Sequence, residues 1–135
     1  MLADCHGLAI TSSAVAEKLH GFVGERQLVE LLDEVRAEAD QTRARCQLLE
    51  DADEVAHANS AAARGLDLVD AWFKAGTDAV EAWTFLVMVE AGEVAAWRAL
   101  AEGGEAMELA SWALPLHEAH LEAALAAVKQ LVRIT

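Results

Sequence analysis

Two pairs of side chains with metal-ligand chemistry stand at helical spacing in this chain, Glu90-x-x-Glu93 and His117-x-x-His120. Residues three apart lie on one side of a helix. Here that side is the apolar one. Around the carboxylates the greasy seam reads Val80, Trp83, Val87, Glu90, Val94, Trp97, Ala101, with Glu93 on its flank. Around the imidazoles it reads Met107, Ala110, Leu114, His117, Leu121, Ala124, Val128, Leu131, with His120 on its shoulder. A carboxylate in a core is expensive unless it is paired or coordinates a metal. Two carboxylates and two imidazoles directed into one core therefore predict a metal site between helices. Iron, manganese and zinc all accept this mixture of donors.

The elements that must position these groups are all helical. The chain has 135 residues, 55% of them hydrophobic, with one proline and no tyrosine. That length predicts one domain, 1–135, with a core that needs no disulfide. Glycines divide it into pieces. A first hairpin is expected over about 12–52, made of helices at about Ser12–Phe22 and Glu25–Ala52. The residues before Ser12 are expected to fray. The long helix has the seam Leu28, Leu32, Val35, Ala39, Thr42, Cys46, Leu49, the alternating spacing of a bundle helix. A short helix is expected at about 61–74, weakened by Gly65, and a second hairpin at about 77–133 that turns at Gly103-Gly104. Thr77 is a candidate cap for its first helix. Pro115 either kinks the last helix or restarts it near its first turn.

The two pairs can meet. At 1.5 Å per residue, Glu90 and Glu93 lie about 15–20 Å before the double glycine, and His117 and His120 about 20–24 Å after it. The first hairpin offers Glu38, beside seam residues Val35, Ala39 and Thr42, with Glu34 and Gln41 as neighbours. Glu17-x-x-His20 has ligand spacing but lies off the apolar face, and Cys5-His6 is a weaker candidate pair near the N-terminus. His57 reads as a helix-end histidine, and Trp72, Trp83, Trp97 and Trp112 as core or interface anchors. The halves echo each other at a shift of 80 residues, Glu38-Ala39-Asp40 against Glu118-Ala119-His120.

Several function classes are excluded. A formal net charge of −13 argues against nucleic acid and against anionic membranes. The longest apolar stretch, Ala82–Val89, is too short to span a bilayer. No basic leader precedes an apolar run, so a cytoplasmic location is expected. Cys5 and Cys46 form neither a zinc ribbon nor a redox motif, and Cys46 reads as a small core residue. No hydrolytic triad and no phosphate-cradling glycine loop is present.

The segments Glu90-Ala-Gly-Glu93-Val-Ala-Ala-Trp97 and Leu116-His117-Glu118-Ala119-His120-Leu121 resemble the ferritin-like superfamily, especially rubrerythrin-type and small bacterial stress-associated members. Glu93 with Trp97 is similar to the family's Glu followed four residues later by an aromatic. His120 matches the His of its Glu-x-x-His, while His117 stands where the Glu is usual. Glu38 with Thr42 resembles the second-helix segment, with Gln41 in place of the expected His, and the first-helix Glu has no counterpart. The resemblance implies an antiparallel four-helix bundle and a carboxylate-bridged di-iron centre. The departures point to a single metal, or to a site completed across a homodimer. The expected function is iron binding through Glu38, Glu90, Glu93, His117 and His120, with oxidation of Fe(II) by O₂ or peroxide. The rival expectation is a non-enzymatic helical interaction module whose polar seam sets register or a dimer partner. A third, a small-molecule bundle, would need a tryptophan-lined pocket.

Overall fold

The computed structural model describes residues 1–134. Among them it is helical throughout, with α1 (Leu2–Leu19), a single 3-10 turn (His20–Phe22), α2 (Arg26–Leu49), α3 (Ala52–Trp72), α4 (Ala79–Glu102) and α5 (Met107–Ile134). No strand occurs among the described residues, and no helix is long and apolar enough to cross a membrane.

Two helices are longer than their sequence signals imply. The first starts at Leu2 rather than Ser12, because Leu2, Cys5, Ala9 and Ser12 continue the buried stripe of Val15, Ala16 and Leu19 back to the terminus. The connecting helix is not a short piece over about 61–74 but the 21 residues Ala52–Trp72. Its start is set by Asp51. The Asp51 carboxylate accepts from the Glu54 amide at 2.8 Å, and Glu54 accepts in return from the Asp51 amide. The acidic run that would oppose the dipole at the end of α2 instead begins a new helix, where negative charge is favourable. In α4 the cap is Asp78, not Thr77. The Asp78 carboxylate accepts from the Glu81 amide, while the Thr77 hydroxyl donates to the Trp72 carbonyl.

Topology explains the length of α3. The end of α2 lies beside the start of α1, where Glu50 meets His6. The start of α4 lies beside the end of α1, where the Trp83 indole donates to the Phe22 carbonyl. The connection must therefore travel the length of the molecule, and 21 helical residues span about 30 Å. Helix α3 runs parallel to α1: Asp4 meets His57, Gly7 meets Ala61 and Thr11 meets Gly65. Gly65 is thus not a weak point. A Cβ there would collide with the Thr11 hydroxyl, and one at Gly7 would stand 2.7 Å from the Ala61 methyl.

The other four helices pair in the order α1–α2, α2–α5, α5–α4, α4–α1. Neighbours run antiparallel. On α2 and α5, Glu25 meets Gln130, Glu38 meets His117 and Arg45 stacks on Trp112. Helices α4 and α5 reverse through Gly104, whose φ of +76° is costly for a residue with a Cβ. Two apolar clusters fill the interior. One gathers Val15, Leu32, Val35, Trp83 and Leu86, and the other Leu2, Cys5, Cys46, Trp97 and Leu100. Pro115 does not restart a helix. α5 runs through it, and the proline faces solvent.

These glycine environments make opposite predictions. Gly65→Ala should destabilise the fold by about 1–3 kcal/mol, through overpacking against Thr11. Gly92→Ala, inside α4 with nothing within 4 Å of the new methyl, should stabilise it by up to about 1 kcal/mol. Urea denaturation followed by circular dichroism measures both.

Candidate metal centre

Between the two apolar clusters the core turns polar. Three helices deliver Glu38 (α2), Glu90 and Glu93 (α4), and His117 and His120 (α5) to one place, all buried. The turn sets the register of α4 against α5. Glu90 and His117 are equally far from the Gly103-Gly104 reversal, and they face each other directly. The buried stripe of α5 is Ala110, Ala113, His117, His120, Ala124, Ala127. His120 is therefore in the core and not on its shoulder, and Met107 is exposed. Glu93 is likewise wholly buried, because α4 packs on α1 as well as on α5. Glu38 faces inward with Val35, Ala39 and Thr42, and the Thr42 hydroxyl donates to Glu38 Oε1 at 2.7 Å.

His117 is the hub. Its Nδ1 lies 3.0 Å from Glu90 Oε2 in hydrogen-bonding geometry. Its Nε2 stands 2.9 Å from Glu38 Oε1 and 3.4 Å from Glu93 Oε2, but neither approach is aligned as a hydrogen bond. His120 Nδ1 is 3.9 Å from Glu90 Oε1. Trp97 stacks over the His117 ring, with centroids 6.4 Å apart. Helix α1 adds no ligand. It closes the site with Ser12, which lies beside Glu93 while its hydroxyl donates to the Ala9 carbonyl.

The electrostatics are unbalanced. Burial is the largest influence on His117 and would favour the neutral ring. Glu93, Glu38 and Glu90 together outweigh it and push the pKa up to about 11. Burial, and then the neighbouring Glu90, hold the Glu93 carboxyl well above the usual carboxylate range. One imidazolium offsets one negative charge among three carboxyl groups. Glu38 Oε2, Glu90 Oε1 and both Glu93 oxygens are buried without a hydrogen bond, as are His117 Nε2 and His120 Nδ1. Buried polar atoms are nearly always satisfied, and a group of orphans facing one another could hold a cation. Two overlapping triads have donor atoms within 4.8 Å of one another: Glu38, His117 and His120, and Glu90, Glu93 and His117. Oxygen and imidazole nitrogen together suit a hard or borderline divalent ion. The Nδ1 contact of His117 with Glu90 is the kind of outer hydrogen bond that orients a ligating histidine.

Other sequence candidates lie elsewhere. Glu17 is exposed, and His20 faces Asp33 at 3.6 Å. His57 pairs with Asp4. Glu34 and Gln41 are exposed on α2. The aligned echo of Glu38 is Glu118, which is exposed beside Arg98, so the repeat does not extend to the site. Cys5 and Cys46 are buried free thiols, each pushed up to about 12 by burial and neighbouring negative charge. His6 is buried against Glu50 at 2.6 Å, so the N-terminal pair joins the core at the opposite end of α2 from its start. Missing from the sequence reading was Ser12, a polar residue within the small-residue stripe Ala9, Ser12, Ala16 that marks a helix face buried at close range.

No protein-family model, no curated protein and no solved structure matches this chain.

The raised pKa values of His117 and Glu93 have the same sign. In each case the folded protein holds its proton more tightly than the unfolded chain does. The associated stability is complete below the unfolded pKa, near 6.5 for His and about 4.3 for Glu, and is lost as pH rises through the folded value. The cluster's contribution in metal-free protein should therefore fall as pH rises from about 6.5 towards about 11, seen as a lower urea midpoint, and Glu93→Gln should reduce that fall. His117→Ala should cost about 3–5 kcal/mol in metal-free protein, since it leaves buried carboxylates uncompensated.

Proposed function

We propose that this protein is a ferritin-like metal-binding bundle that holds iron in the core between α2, α4 and α5. In this reading α1, α2, α4 and α5 form an antiparallel four-helix bundle, and α3 is the crossover that joins its two hairpins. The closed order of antiparallel pairs supports that architecture. The observation that carries the metal reading is the excess of buried, unsatisfied carboxylate oxygen around one histidine. Glu38, Glu93 and His117 Nε2 converge from three helices, with Glu90 and His120 completing the donor set. Held there, iron would supply one-electron chemistry with O₂ or peroxide. The chain's own residues supply charge compensation, a dry surrounding and, through Trp97 stacked on His117, a fixed orientation of the central ring.

A second reading has its own support. His117 alone faces three carboxylates, and a protonated ring would hold α2, α4 and α5 in register without any metal. That arrangement would make the chain a helical interaction module, for which a polar seam specifies pairing.

Metal analysis separates the two. Tag-free protein produced with iron supplied should carry about one or two iron ions per chain, as mononuclear or dinuclear bundle sites do. His117→Ala/His120→Ala protein should carry none while remaining helical. Metal-free protein in both cases, with both folded, would leave the interaction module.

A further inference from the structure

The five site residues are not equally sealed. Glu90, Glu93 and His117 have no exposure, whereas Glu38 keeps 5% and His120 6%. Both of these line one solvent-open depression of about 360 Å³ on the seam between α2 and α5. Helix α2 contributes Glu34, Glu38 and Gln41, which lie on one helix face at successive turns. Helix α5 contributes Trp112, Leu116 and His120, spaced in the same way. The depression thus passes from an exposed carboxylate, Glu34, to the outermost pair of the buried cluster. Among the adjacent pairs of α1, α2, α4 and α5, it also lies where packing is thinnest. Helices α2 and α5 touch far less extensively than α1 with α2, α1 with α4, or α4 with α5. The depression on the outer α4–α5 face, around Arg98, Pro115 and Glu122, contains no site residue. Nor does the apolar groove between α1, α3 and α4.

We propose that the α2–α5 seam is the route by which a divalent cation reaches the buried centre, with Glu34 as its first carboxylate and Glu38 and His120 as the inner threshold. This rests on the metal reading above and adds a path and an accessory residue to it. The chemistry follows from the sequence of groups along the depression. A hydrated cation is drawn to Glu34 by its charge and by the acidic surface, which raises local cation concentration. Glu38 Oε2 and His120 Nδ1 are buried and lack hydrogen bonds, and of the five site residues these two line the depression. Trp112 is held as a wall by the Arg45 guanidinium, 4.1 Å above its ring, and Leu116 lines the seam beside it. These apolar groups offer the ion no competing ligand, so it passes from one carboxylate to the next. Glu34 is not a ligand of the final site. Its effect is on the rate of arrival.

The test is anaerobic stopped-flow mixing of metal-free protein with Co²⁺ alone, followed by visible absorption, beside equilibrium titration of the same proteins. Ala37→Trp fills the depression from an exposed position on α2, and Glu34→Gln removes the outer charge without touching the core. Glu122→Gln on the outer α4–α5 face is the control. Ala37→Trp should slow association about tenfold or more, and Glu34→Gln several-fold with a weaker dependence on salt. Both should leave equilibrium affinity within about twofold, and the control should match wild type. Should Ala37→Trp not fold, Glu34→Gln decides alone. Intact binding with unchanged rates, or an equal slowing in the control, overturns the route and leaves the metal reading standing. Absence of Co²⁺ binding by wild-type protein overturns both.

Discussion

Charge buried in a helical core has to be neutralised where it sits, because nearby water cannot do it. In this chain three carboxylates are buried around one imidazole, and the groups that compensate one another come from different helices. Glu38 belongs to α2, Glu90 and Glu93 to α4, and His117 to α5. None of these side chains could be buried in its own helix alone. Each requires the other two helices to be in place and in register. The polar cluster is therefore costly for partly folded forms, and that cost favours one arrangement of the three helices over apolar alternatives of similar packing.

The surroundings answer to the same constraint. The site is bounded at one end by Leu32, Val35, Trp83 and Leu86, and at the other by Trp97, Leu100, Cys5 and Cys46. These clusters keep water out and hold the effective dielectric low, which strengthens every charge interaction between them. Small residues let the backbones approach. Ala110, Ala113, Ala124 and Ala127 bring α5 close, and Gly7 and Gly65 do the same for α1 and α3. A crossover helix clamped along α1 stiffens the one site-lining helix that supplies no ligand. Close packing thus runs along α4–α5, α1–α3 and α1–α2, while the α2–α5 seam is thin.

That asymmetry has chemical consequences. On the metal reading, a centre sealed on every side would exchange an ion only by global opening, whereas one bordered by a thin seam would need local motion of a few side chains. The two residues with residual exposure are also the two that border that seam. The residual exposure of the cluster and two of its five residues therefore belong to the same pair of helices. A metal reading and a register reading share the same buried groups, and they differ in whether His117 carries a proton or shares the centre with an ion.

Much of this was legible in the amino-acid sequence, for a local reason. Helix period and residue chemistry are properties of short segments. Glu90 and His117 interrupt apolar seams, and a helix with a buried face has nowhere else to direct them. The pairing of α4 with α5 followed from the two-glycine turn. Glu38 was also visible, beside Val35, Ala39 and Thr42. Which boundary residues became buried was a different matter. Glu93 and His120 stand next to the seams, and only the approach of a second neighbour to each helix carried them inside. The long α3 was hidden because its length answers to where α2 ends and α4 begins, a three-dimensional distance that no local pattern encodes. Gly65 looked like a helix weakness until Thr11 was seen against it. Residue type and period determined which groups could do chemistry here. Packing of several helices at once decided which of them meet, how unbalanced their charge is, and where the core remains accessible.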